Sequence, residues 1–95
     1  MSVLVTMRVK VKDFEGVKKA AAKHNAHMKA AGCHWSKIYR AEKDPNDVLF
    51  LMEWESHAAF EQSGDGGVAD DFNALVDPVG DWEDVVWQLS DAEQI

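Results

Sequence analysis

The chain has 95 residues, 46% of them hydrophobic and 28% charged, with four Trp, four Phe, six Gly and two Pro. That is the make-up of one globular domain, here residues 1–95, and it excludes a disordered or collagen-like segment. A single cysteine excludes an intramolecular disulfide and a cysteine-based zinc site, and no apolar run approaches the ~20 residues a membrane helix needs.

The first strand is expected over residues 2–11, where Val3, Val5, Met7, Val9 and Val11 alternate with Leu4, Thr6, Arg8 and Lys10. An alternating start without a basic, then apolar, stretch does not read as a signal peptide, so a cytoplasmic location is expected. Asp13 is placed to cap a helix running to about Ala31, with Gly32 at its stop position. Phe14, Val17, Ala21, His24, Met28 and Ala31 fall on one stripe of that helix. A second strand covers about 33–43, and Asp44-Pro45-Asn46-Asp47 has turn chemistry. Val48–Glu55 is apolar on both faces, as in a strand covered on both sides. Ser56 caps a short helix bearing Ala59 and Phe60, which breaks around Ser63–Gly67. A further helical stretch runs over Val68–Val76, with Phe72, Leu75 and Val76 as its buried side, and Pro78 and Gly80 end it. Trp82–Leu89 is the last strand, and residues from about 90 form a loose tail.

This order, β-α-β-β-α-β, is the ferredoxin-like α+β arrangement: a four-stranded antiparallel sheet with both helices on one face. The first, third and last strands are apolar on both sides, and two helices cover only one. The bare face calls for a partner, and a second copy satisfies it through one two-fold interface, so a homodimer is expected.

Charge is strongly polarised along the chain. Residues 1–43 hold all ten Lys and Arg and three of the seventeen carboxylates, net +7; residues 44–95 hold the other fourteen carboxylates and no Lys or Arg, net −14. The lysines on helix 1 (Lys12, Lys18, Lys19, Lys23, Lys29) have no aromatics interleaved, so the sequence predicts no nucleic-acid binding; the two halves neutralise each other in one fold. Docking of an anionic partner on helix 1 is a lesser alternative.

Three sets of residues bear on chemistry. His24 lies on the apolar stripe, with His27 at its edge; such a histidine is either a general base or a hydrogen-bonded core-edge side chain. His24, His27, His34, His57 and Cys33 show no metal-ligand spacing, so no metal site is expected. Trp35 and Tyr39 on strand 2, Trp54 on strand 3, and Phe60 and Phe72 beyond it are either core filler or cavity walls; if Trp54 faces the helices, it shares a cavity with His24, Met28 and Phe72. Which face of strand 2 meets the helices is open: Trp35 and Tyr39, or His34 and Arg40.

Gly32-Cys33 leading into strand 2, Tyr39-Arg40, Asp44-Pro45-Asn46-Asp47, and above all Glu53-Trp54-Glu55-Ser56-His57-Ala58-Ala59-Phe60 resemble the antibiotic biosynthesis monooxygenase (ABM) family of the dimeric α+β barrel superfamily. The resemblance implies a homodimer with a ligand cavity between sheet and helices in each subunit. It also implies either oxidation of phenolic polyketides by O₂ without an added cofactor or degradation of haem. Of the residues those two activities use, only Trp54 is retained: Phe50, Phe60 and Asp71 or Phe72 stand at the other positions of the first, and Met7 and Phe72 or Asn73 at those of the second. The expected function is a cofactor-independent monooxygenase acting on a small aromatic, phenolic or quinol-like substrate. His24 and Trp54 are the candidate catalytic residues; Trp35, Tyr39, Met28, Phe50, Phe60, Phe72 and Asn73 are the candidate pocket, with Asn73 holding a carbonyl oxygen. The alternative is a non-catalytic dimeric module of the same fold that binds a small hydrophobic molecule or serves in stress.

Overall fold

The computed structural model describes residues 2–64, 67–76 and 82–89. Its elements are β1 (Val3–Lys10), α1 (Phe14–Ala31), β2 (Cys33–Arg40), β3 (Asp47–Trp54), α2 (His57–Glu61), a 3₁₀ turn at Gln62–Gly64, α3 (Val68–Asn73) and β4 (Glu83–Gln88). The expected order is therefore found, with the ends of β2 and α3 drawn in by three residues each. Pro78, Gly80 and the tail lie outside the described residues.

The sheet order is β2-β3-β1-β4 and all neighbours are antiparallel. β1 and β3, two of the three strands read as apolar on both faces, take the centre, and the third, β4, lies at an edge. Their in-register pairs Val3–Trp54, Val5–Met52, Met7–Phe50 and Val9–Val48 point toward the helices. Most of these side chains are fully buried, and Val17 and Ala20 of α1 close over them. Alternation is thus converted directly into a core: one parity of β1 and β3 meets α1, the other parity faces away.

Two local signals fix where α1 ends and α2 begins. Gly32 is left-handed (φ 116°), its N–H bonding the carbonyls of Met28 and Lys29, as a helix stop requires. Ser56 Oγ accepts the Ala59 N–H at 3.1 Å, capping α2. Asp13 stands at the N-cap of α1, but its side chain makes no capping bond.

The charge halves do meet. Arg8 binds Asp47 through two bonds (Nε to Oδ1 at 3.0 Å, Nη2 to Oδ2 at 2.6 Å), Lys10 reaches Asp44 at 2.6 Å, and Lys23 reaches Asp71 at 2.9 Å. Each pair joins the basic half to the acidic half. The face of the sheet away from the helices carries Leu4, Leu49 and Leu51, half-buried, and Tyr39, Val85 and Trp87, exposed by 46%, 41% and 51%.

Candidate functional site

Between the sheet and the helices lies a cavity of about 340 Å³. Its floor is sheet: Met7 of β1, Phe50, Met52 and Trp54 of β3, and Ser36 of β2. Ala21 and Met28 of α1 form one wall; Phe60, Phe72 and Asn73, from α2 and α3, form the other. The floor follows from the register that makes the core, since Met7, Phe50, Met52 and Trp54 share the parity that faces the helices.

Three aromatic contacts shape the space. Phe50 meets Phe72 edge-on at 5.6 Å and Trp82 at 6.1 Å, and Trp54 meets Phe60 at 5.8 Å. Phe50, Phe60 and Phe72 therefore line the cavity without filling it. Trp54 is fully buried, and its indole N–H has no acceptor within hydrogen-bonding reach among the described residues. A buried donor left unpaired costs roughly 1–3 kcal/mol, which a ligand oxygen would recover.

The polar groups are few. Trp82 Nε1 donates to Asn73 Oδ1 at 3.0 Å, which fixes the amide orientation because an indole N–H can only donate. The Asn73 NH₂ is left outside that bond. Asp84 of β4 joins the wall opposite Met7, and burial alone pushes its carboxyl above the ordinary value. Glu61 also borders the space, but its carboxylate holds His57 at 3.0 Å.

The structure thus brings together Trp54, Met28, Phe50, Phe60, Phe72 and Asn73 of the expected site. It separates three others. Trp35 and Tyr39 are not pocket residues: they pair with Glu53 and Leu49 and lie on the opposite face of the sheet. The cause is a bulge between Cys33 and Trp35, which reverses the parity of β2. Cys33 points inward before it; Ser36, Ile38 and Arg40 point inward after it, Arg40 stacking over Phe14 at 4.2 Å. His34, the other half of the second alternative, points outward to Glu53 at 3.0 Å. Neither uniform reading of that strand holds along its length.

His24 is buried, 7% exposed, but forms no part of the cavity wall. Its Nε2 lies 2.7 Å from Asp71 Oδ2, the oxygen that also receives Lys23, and these two partners hold the Asp71 carboxyl below its usual range, Lys23 foremost. His24 therefore joins α1 to α3, 6.2 Å from the ring of Phe72. Among the lining residues that sequence reading missed are Met7, Ser36, Met52, Trp82 and Asp84. Asp84 was signalled by its parity with Val86, which also faces the helices. Ser36 carried no such signal, because the bulge hides it.

Comparison with known proteins agrees with this architecture. The fold matches SnoaB, a cofactor-independent oxygenase from Streptomyces nogalater, with a TM-score of 0.76 at 18% identity over 99% of this chain and 95% of that one. A proposed antibiotic biosynthesis monooxygenase from Nitrosomonas europaea matches with a TM-score of 0.72 at 12% identity, over 97% and 94%. Protein PA3566 of Pseudomonas aeruginosa matches at 0.64 and 16%, over 93% and 94%. At such identities the likeness is one of fold. No match is found among curated proteins. The family model for antibiotic biosynthesis monooxygenase matches residues 1–75, which span β1 to α3 and all but the β4 side of the cavity, and the chain belongs to that family.

Proposed function

We propose that this protein is a cofactor-independent monooxygenase that oxidises a small aromatic, phenolic or quinol-like molecule with O₂ in the cavity between sheet and helices. The observation that carries the reading is the unpaired, fully buried Trp54 N–H in a mostly apolar chamber. Such a donor selects a flat apolar ligand with an acceptor oxygen at one end. Family membership and the fold shared with a cofactor-independent oxygenase support the same reading.

The chemistry asks little of the protein. An electron-rich phenolate or enolate passes one electron to O₂, the resulting radical and superoxide join at a ring carbon, and the peroxide loses water to leave a carbonyl. The chain's contribution is to bind the ring against Phe50 and Phe72, to keep bulk water away, and to hold the ligand oxygen on Trp54. We further propose that the protein works as a homodimer joined through the outer sheet face, where Tyr39, Val85 and Trp87 are exposed.

One observation favours a binding module without catalysis: His24, the base expected from sequence, is engaged with Asp71 away from the cavity. Oxygen consumption separates the two readings. Naphthols and hydroquinones are offered to the purified protein in an O₂ electrode. Uptake matched to loss of the aromatic, and abolished by filling the cavity with Ala21→Trp, supports oxygenation. Binding without uptake assigns the protein to the second reading.

A further inference from the structure

We infer that Asp84 is the group in the cavity that receives the hydroxyl of the ligand, a role that rests on the oxygenase reading above. Asp84 is on β4, at the strand pair Met7–Asp84, and shares with Val86 the parity that faces the helices. Trp54 is at the other end of the sheet, paired with Val3. Four residues along the strands and two strands across put the two backbones roughly 16 Å apart. The cavity therefore runs diagonally, with a donor at the closed end and a carboxylate at the β4 end.

The other charged groups near this space are already engaged. From α2, Glu61 holds His57. From α1 and α3, His24 and Lys23 hold Asp71, outside the wall. From β1, Arg8 turns to the opposite face and holds Asp47. Glu83, the neighbour of Asp84 on β4, pairs in register with Arg8 on that same opposite face. No cation forms an ion pair with Asp84 among the described side chains, and although the residue is exposed overall, its partial burial against the wall raises its carboxyl. A carboxylate in that setting is a poised acceptor. When a bound hydroxyl ionises, its O–H bond breaks, the electron pair stays on the ligand oxygen, and the proton passes to an Asp84 Oδ. The Asn73 NH₂, left outside the bond to Trp82, lines the same cavity and supplies a donor for the anion.

The test compares 1-naphthol with 1-methoxynaphthalene, which has the same ring and oxygen but no proton to give. Binding is followed by fluorescence from pH 4 to 8. The wild-type protein should prefer the naphthol roughly tenfold at pH 7, the value of one charge-assisted hydrogen bond. That preference should fade as the pH drops through a midpoint above 3.8, the carboxyl's ordinary value. Asp84→Val should bind both probes equally at every pH, with an unchanged melting temperature because the residue is exposed on an edge strand. Asp84→Glu should restore both the preference and its pH dependence. A preference that survives Asp84→Val, or equal binding by the wild type, overturns the assignment of Asp84 and leaves the cavity reading standing. If neither probe binds the wild type, the cavity reading falls and takes this one with it.

Discussion

Replacing Trp54 with Phe sets stability against function in a way that few core changes do. The smaller ring gives up roughly 40–50 Å² of buried apolar surface, about 1 kcal/mol at 25 cal/mol per Å². The same change removes a buried donor with no protein acceptor, which returns roughly 1–3 kcal/mol. The two effects nearly cancel, so the variant should lie within about 1 kcal/mol of the wild type or be slightly more stable. For a domain of this size that is a melting temperature within about 4–8 °C of the original. Ligand affinity should nonetheless fall about tenfold, because the hydrogen bond to the ligand oxygen is lost. Calorimetry of the empty protein and fluorescence titration with a dihydroxynaphthalene, which has an oxygen for each end of the cavity, read the two effects separately. A loss of 3–5 kcal/mol, the range for truncating a large aromatic in a tightly packed core, would refute the reasoning. It would mean that Trp54 is a structural residue whose N–H is satisfied.

Gly32→Ala should destabilise the fold by about 1–2 kcal/mol, read as a lower denaturation midpoint, because φ is 116° and the new Cβ would sit 2.8 Å from Glu55 Cγ. Arg8 holds the Asp47 carboxyl below its usual 3.8 by hydrogen bonding and charge, so the folded form binds that proton less readily than the unfolded chain. The resulting stability is fully present above the unfolded value and is lost as the pH falls through the lower, folded one. Urea unfolding between pH 2 and 6 should show this loss, and Arg8→Met should flatten it. Val85→Lys, on the outer sheet face, should turn the proposed dimer into a monomer in sedimentation while leaving the cavity's affinity for a naphthol within threefold. His24→Gln should weaken the α1–α3 link and lower the melting temperature by a few degrees. Turnover should change through KM rather than kcat, because His24 touches α3 and not the ligand.

Periodicity made the fold legible. β1 and β3 read as two-sided strands and are central, whereas β4 read the same way and lies at an edge, its outer apolar residues exposed; α1 was bounded by Gly32, whose backbone can do what other residues resist. The cavity was half legible: Trp54 and Phe50 follow from strand parity once the helices are placed, and Phe60 and Phe72 from the apolar sides of α2 and α3. β2 was not, because one inserted residue at the bulge sends Cys33 inward and Trp35 outward, and nothing in the composition of that strand announces it. His24 misled for a related reason. His24 sits between Ala21 and Met28 in height but about 40–60° round the helix from them at 100° per residue, and a wheel stripe that broad takes in both the cavity wall and the α3 contact.

The distribution of charge has a consequence for how the domain comes into being. The basic half is synthesised first, and alone it is a polycation whose central strand lacks both sheet neighbours. β1 must wait for β3, some forty residues on, and for β4, nearly eighty on, before its edges are covered. Folding is therefore governed by distant pairings, which places this small domain among the slower folders of its size. The contacts that first draw the late acidic segments toward the early basic ones are long-range attractions, and they are weakened by salt. The refolding rate should thus fall with ionic strength more steeply than the final stability does, since the finished domain rests mainly on its apolar core.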